Sequence, residues 1–241
     1  MNVLEISQSG ALLDLVLSRP EDGNKLSNEE ADRLASSLAT LPASVSLVRL
    51  RSSGDTFCVG RVSPMASMGA TATAGDLKRE VADPALRVYD ALRSCPVPVL
   101  SIVAGAAHGF GCGLVGASDL AIASAKASFR IPEMERGIPP TLVMTALRGR
   151  ISRKALFHLV LTKEEINAAR ALECGLISKV VAPEALDREC ALQTEALLSY
   201  PGESMRAIKD YLMHADGMHD AGATALAANI LSTTLSARSK K

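Results

Sequence analysis

The hydrophobic positions along this chain change period several times, and each change marks an element. Asn2–Ser7 and Ala11–Leu17 are strand-like runs separated by Gln8-Ser9-Gly10, which predicts a hairpin. Ser27-Asn28-Glu29-Glu30 has the spacing of a capping box, and Ala31, Leu34, Leu38 and Leu41 recur after it at helical period until Pro42. Leu47–Leu50 reads as a short strand. Phe57-Cys58-Val59-Gly60-Arg61-Val62 is a short apolar stretch broken by one glycine. The Ala/Thr/Met/Gly-rich stretch Ser63–Gly75 has no period and reads as a loop able to act as a lid. Leu77–Arg93 reads as a helix with Leu86, Tyr89 and Leu92 on one side, bent or restarted at Pro84. Val97–Val103 is a continuous apolar strand, and a second one runs from Leu120 to Ala123.

Beyond Glu133 the pattern turns increasingly helical. Gly137-Ile138-Pro139-Pro140 is a rigid turn, and helices are expected over 141–147 and 152–160. Ile166–Cys174 reads as a small helix stopped by Gly175, and Ile177–Val181 as a strand. From Pro183 onward the pattern predicts helices alone, near 184–198, 203–214 and 221–235. The last is apolar along much of its length, so it is expected to dock on the body or on a partner subunit. Strands alternating with helices, then helices alone, predict an α/β core over residues 1–182 and a helical C-terminal lobe over residues 183–241.

Composition narrows the function classes. Lysine plus arginine equals aspartate plus glutamate, 26 each, which gives no pull toward nucleic acid or an anionic membrane. Aromatics are 3% with no tryptophan, too few for base-stacking platforms. Cys58, Cys95, Cys112, Cys174 and Cys190 are scattered and form no CxxC pair, which argues against a disulfide framework or zinc site and for a reducing compartment. The first residues lack the basic-then-apolar pattern of a secretory signal, and no apolar run approaches the roughly 20 residues that span a bilayer. The expectation is a soluble cytoplasmic protein with neither nucleic-acid nor membrane partner and no metal.

The candidate chemistry sits between Pro96 and Glu133. An apolar strand there meets Gly109, Gly111 and Gly113 at alternate positions. A glycine-rich turn that opens a helix gathers backbone N–H groups with the helix dipole behind them, which can hold an anion or stabilise charge developing on a reacting oxygen. Three other uses weigh less. Gly111-Cys112-Gly113-Leu114-Val115-Gly116 matches GxGxxG, but only Ala117-Ser118-Asp119 separate it from the next strand, leaving no room for the helix a dinucleotide fold places there. Cys112 has Phe110 and Leu114 where a nucleophile elbow requires small residues, and reads as a buried apolar group. His108 can act as acid or base, but a lone loop histidine more often makes a structural hydrogen bond.

Four segments then occur in a telling order: Phe57-Cys58-Val59-Gly60, Gly105–Leu114, Pro132-Glu133…Gly137…Pro140, and Leu161-Thr162…Ile166-Asn167-Ala168…Ala171…Gly175-Leu176-Ile177…Val180-Val181. In this order they resemble the enoyl-CoA hydratase/isomerase (crotonase) family over about residues 3–186. The resemblance implies a crotonase-like spiral of ββα turns, a C-terminal lobe that trimerises, homotrimers or dimers of trimers, and acyl-CoA thioesters as substrates. It implies no cofactor beyond the coenzyme A that the substrate carries. It assigns an oxyanion hole to the backbone N–H groups of Arg61 and Phe110, and acid/base work to Glu133. Coenzyme A would lie along Lys25, Leu26, Val59, Arg61 and Val62. The family's hydratases use a second glutamate at the position that here is Gly113, and a small residue and an aspartate where Arg61 and Val62 stand. One retained glutamate points to enoyl-CoA isomerisation. Hydration or another reaction of the family, and a catalytically weak acyl-CoA binder or scaffold, stand as alternatives.

Overall fold

The protein is seen in a computed structural model that describes residues 4–66, 68–69 and 71–238. In order, its elements are β1 (Leu4–Ser9), β2 (Leu12–Leu17), α1 (Asn28–Ala39), β3 (Leu47–Ser52), β4 (Thr56–Cys58), α2 (Ala74–Leu77), α3 (Asp83–Ser94), β5 (Val99–Val103) and β6 (Ala106–His108). Then follow α4 (Phe110–Ala117), β7 (Leu120–Ser124), β8 (Ser128–Arg130), α5 (Thr141–Leu147), α6 (Arg153–Thr162), β9 (Ile166–Asn167), α7 (Ala168–Glu173) and β10 (Lys179–Val181). Three helices end the chain, α8 (Leu186–Leu198), α9 (Gly202–Ala215) and α10 (Asp220–Arg238).

Strands β3, β5 and β7 enter a six-stranded sheet of order β1-β2-β3-β5-β7-β10, while the strands that follow them, β4, β6 and β8, enter a four-stranded sheet of order β4-β6-β8-β9. Each turn of chain therefore lays one strand in each sheet before a helix returns it, which produces the ββα spiral. The corner between the sheets is tight, because a Cβ on Gly105 would overlap the Asp55 carbonyl of the preceding turn. Both faces of the central parallel strands are covered, and all five residues of β5 are buried. That is why Val97–Val103 reads as a continuous apolar run rather than an alternating one.

Local chemistry sets the helix starts. Ser27 Oγ accepts the Glu30 N–H at 3.2 Å and the Glu30 carboxylate accepts the Ser27 N–H at 2.8 Å, closing the capping box on α1. Ala31, Leu34 and Leu38 then face the core. The helix expected at Leu77 starts earlier, at Ala74, behind a second capping box between Thr73 and Asp76. The preceding loop is in part a 3-10 turn, Pro64–Ala66; of the stretch read as a lid, Ser67 and Ala70 lie outside the described residues, as do Asn2 and Val3 of the first strand. The α-helix restarts at Pro84, as expected, with α3 beginning at Asp83. A π turn, Lys78–Ala82, precedes it, and proline at the first turn of α3 needs no donor. The Glu80 carbonyl, which Pro84 cannot reach with an N–H, accepts Asn28 Nδ2 at 2.9 Å instead. The small helix expected from Ile166 begins two residues later, since Ile166-Asn167 is drawn into pairing with Ser128-Phe129.

A buried ion pair ties the helical lobe to the core. Lys209 of α9 is 3% exposed, and its Nζ donates to both Asp119 carboxylate oxygens at 2.6 Å. Asp119 also accepts the Val99 N–H at 2.9 Å, so the pair ties α9 to the start of β5. By contrast α10, expected to dock on the body or on a partner subunit, packs on α9 and leaves Leu231 and Leu235 exposed on this chain. Among the described residues no helix is long and apolar enough to cross a membrane.

Removing one member of a buried ion pair strands the other charge. Lys209→Ala is expected to destabilise the fold by about 3 kcal/mol, near the low end for such pairs because Asp119 retains Arg150 3.7 Å away. Urea denaturation followed by circular dichroism measures it.

Candidate active site

Two glycines with left-handed backbone each precede a residue whose N–H is turned out of the regular ladder. Gly60 (φ 141°) precedes Arg61, and Gly109 (φ 52°) precedes Phe110. Leu26 donates to the Gly60 carbonyl at 3.4 Å and accepts from the Val62 N–H at 2.9 Å, so the N–H of Arg61, between them, points away from Leu26. Phe110 is the first residue of α4, and its N–H has no carbonyl one turn earlier to bond.

Close contact brings the two segments together. A Cβ on Gly111 would overlap the Cys58 carbonyl, so the first turn of α4 lies directly on the end of β4. All eight residues of α4 are buried. The glycines of the GxGxxG match lie inside this helix rather than before one, and they serve packing. Gly111 faces Cys58, Gly113 faces Tyr89, and Gly116 faces Leu147.

Glu133 opens a 3-10 turn, Glu133–Arg136, closed by Gly137 in a left-handed conformation. Its Oε1 would stand 2.8 Å from a Cβ on Gly109, which puts the carboxylate against the entry to α4. Its Oε2 is buried with no hydrogen-bond partner among the described residues. Burial raises the Glu133 pKa above the ordinary glutamate value, against smaller opposing effects of its own backbone and Arg136. Glu135, two residues on, pairs with Arg130 on the surface instead.

The Gly113 position is filled from outside. The Tyr89 hydroxyl and ring edge occupy the space where a side chain at 113 would start. Tyr89 is 1% exposed, and its hydroxyl donates to the Phe110 carbonyl at 3.2 Å. The Tyr89 and Phe110 rings stack with centroids 5.3 Å apart, and the Arg61 guanidinium lies over the Phe110 ring, 5.8 Å from its centroid. The sequence pattern placed Tyr89 on the core face of its helix; that it meets Gly113 is visible only in three dimensions.

Of the remaining candidates, Leu26 is fully buried beside Arg61, Val59 packs on Gly23, Lys25 is half-buried, and Val62 is 45% exposed. Asn24 holds this corner. It takes a left-handed backbone (φ 56°), accepts the Arg19 N–H at 2.8 Å, and donates to Ser53 and Thr56 carbonyls at 3.1 and 2.7 Å. His108 is in hydrogen-bond contact with Ser128 Oγ at 3.2 Å, and burial lowers its pKa. Cys112 is fully buried and burial pushes its thiol far up, which removes it as a nucleophile.

The family model for enoyl-CoA hydratase/isomerase matches residues 7–241. The chain is 33% identical over 184 residues to the mitochondrial enoyl-CoA hydratase domain-containing protein 3 of Mus musculus, covering 76% of this chain and 60% of that protein. It is 31% identical over 197 residues to the 2,3-dehydroadipyl-CoA hydratase of Escherichia coli K12, covering 80% of this chain and 74% of that one. The chain thus spans about three fifths of the length of the mouse relative. A crystal structure of an enoyl-CoA hydratase-like protein of Thermobifida fusca, in complex with CoA, superposes with a TM-score of 0.90 at 25% identity, covering 100% of this chain and 95% of that one.

A side chain at 113 must displace the Tyr89 ring. Gly113→Ala is expected to cost about 2 kcal/mol in thermal or urea unfolding. Tyr89→Ala combined with Gly113→Ala is expected to cost less than the sum of the two, because one change makes room for the other.

Proposed function

The chain belongs to the enoyl-CoA hydratase/isomerase family, and from that premise we propose that it isomerises 3-enoyl-CoA thioesters to the conjugated 2-enoyl form. The observation that carries this reading is Glu133, a half-buried carboxylate at the entry to α4 whose buried Oε2 has no hydrogen-bond partner among the described residues, with no side chain at position 113. The Arg61 and Phe110 N–H groups hold the thioester oxygen. Glu133 removes a proton from C2, and the C–H electron pair moves into the carbonyl to give a dienolate whose oxygen the two N–H groups stabilise. Glu133 then returns the proton to C4, and the double bond settles between C2 and C3. No atom is gained or lost, so one carboxylate suffices and no cofactor is needed beyond the coenzyme A on the substrate. Lys25, Leu26, Val59, Arg61 and Val62 form the edge along which that coenzyme A lies.

A second reading is hydration of a 2-enoyl-CoA, favoured by the relatives' names. It asks one carboxylate both to activate water and to protonate carbon. The exposed Leu231 and Leu235 of α10 support subunit docking, and we propose a homotrimer or dimer of trimers in the cytoplasm. Light scattering giving a monomer mass would end that part of the reading.

Incubation with a 3-enoyl-CoA is expected to give conjugated 2-enoyl product, followed by ultraviolet absorbance. Glu133→Gln is expected to lower kcat by about 100-fold or more. Because burial raises the Glu133 pKa and the ionised form is the base, kcat/KM is expected to rise with pH through a midpoint above about 4.3, the ordinary glutamate value. Equal rates for wild type and Glu133→Gln would remove the catalytic role, and turnover of crotonyl-CoA alone would favour hydration.

A further inference from the structure

Arg61 brings two separable groups to this site, and only the backbone N–H has a role so far. Its guanidinium reaches under the helix formed by α2, the π turn and α3, where Nη2 donates to the Val81 carbonyl at 2.9 Å. The cation rests on the Phe110 ring. Nη1 is buried and meets no acceptor among the described residues. The nearby carboxylate on α1, Asp32, is already held by Arg87 Nε and Nη2 at 3.0 and 2.7 Å. Glu133 does not pair with Arg61 either, since its own Oε2 is without a partner. A buried charged donor left unmatched is costly, and a guanidinium presents its N–H groups in a fork that fits a carboxylate.

On an acyl-CoA, acceptors lie at three places. The thioester oxygen belongs to the two backbone N–H groups in the reading above. The phosphates and pantetheine run along the half-exposed edge at Lys25 and Val62. The Arg61 side chain leaves that edge, reaching the Val81 carbonyl and the Phe110 ring, so the acyl group is the part of the substrate left for it to meet. We propose that Arg61 recognises a free carboxylate on the acyl group, so that the preferred substrates are short acyl-CoA thioesters of dicarboxylic acids. The Tyr89 ring stacked on Phe110 and the Arg61 guanidinium over Phe110 are expected to limit the acyl group to a short chain. The carboxylate also supplies the negative charge that no protein side chain hydrogen-bonds to Arg61.

This inference rests on the acyl-CoA reading, and binding without turnover tests the two apart. Calorimetry compares glutaryl-CoA, pentanoyl-CoA of equal chain length, and free coenzyme A. Wild type is expected to bind glutaryl-CoA about tenfold or more tightly than pentanoyl-CoA. Arg61→Gln is expected to abolish that ratio, and Arg61→Lys, which keeps the charge without the fork, to retain part of it. The ratio isolates the guanidinium, because both thioesters use the Arg61 N–H alike. No preference in wild type, or a preference that survives Arg61→Gln, overturns the inference and leaves the acyl-CoA reading standing. Equal weakening of all three ligands by Arg61→Gln places the guanidinium on a coenzyme A phosphate and overturns it too. Failure of wild type to bind any of the three overturns both.

Discussion

The site depends on one backbone contact, the Cys58 carbonyl lying against the Cα of Gly111. Any side chain at 111 would lift α4 off the end of β4 and separate the two residues whose N–H groups leave their ladders. The glycines before those residues solve a second problem. Left-handed backbone at Gly60 and Gly109 reorients the next peptide, so that Arg61 and Phe110 present donors that sheet and helix would otherwise absorb. The α4 dipole adds positive character at Phe110. The arrangement is preorganised and made of main chain, which is why side chains as large as arginine and phenylalanine can occupy both donor positions without removing the donors.

Around this frame the protein keeps polar atoms unmatched. Glu133 Oε2 and Arg61 Nη1 are both buried without partners, and each costs stability that a satisfied core would not lose. They do not neutralise one another. A carboxylate held unpaired in a dry place is raised toward the pKa of a useful base, while an unpaired guanidinium keeps its full capacity for an acceptor. Nearby, Tyr89 fills the place a second acid would need, and its hydroxyl anchors the first turn of α4 through the Phe110 carbonyl. That packing leaves position 113 no room for a side chain.

Support for these groups comes from helices that look ordinary in isolation. Because Pro84 has no N–H to offer, the Glu80 carbonyl turns to Asn28 and ties α3 to α1, while the next carbonyl, Val81, holds the Arg61 side chain. Lys209, from the last third of the chain, is fixed to Asp119, which itself receives the N–H of the first residue of β5. The strand that leads into the glycine segment is therefore braced by the helical lobe.

Local chemistry is what the sequence expressed well. The Ser27–Glu30 capping box, the buried run of β5, the left-handed stop at Gly175 and the ordered motifs around Gly60, Gly109 and Glu133 are decided by neighbours within a few residues, so pattern alone places them. Where long-range pairing intervened, pattern misled. Ile166-Asn167 reads as helix until Ser128-Phe129 offers it a strand partner, while the apolar α10, read as docking on the body or on a partner subunit, packs on α9 and leaves Leu231 and Leu235 exposed on this chain. The GxGxxG glycines, whose spacing already argued against a dinucleotide turn, lie within α4 and serve packing. What only the tertiary structure decided is which distant atoms share space: Cys58 with Gly111, Tyr89 with Gly113, Arg61 with Phe110 and Val81. Those contacts join residues 20 or more positions apart through the spiral of the two sheets, and no period or propensity along the chain encodes which turn of a spiral lies upon which.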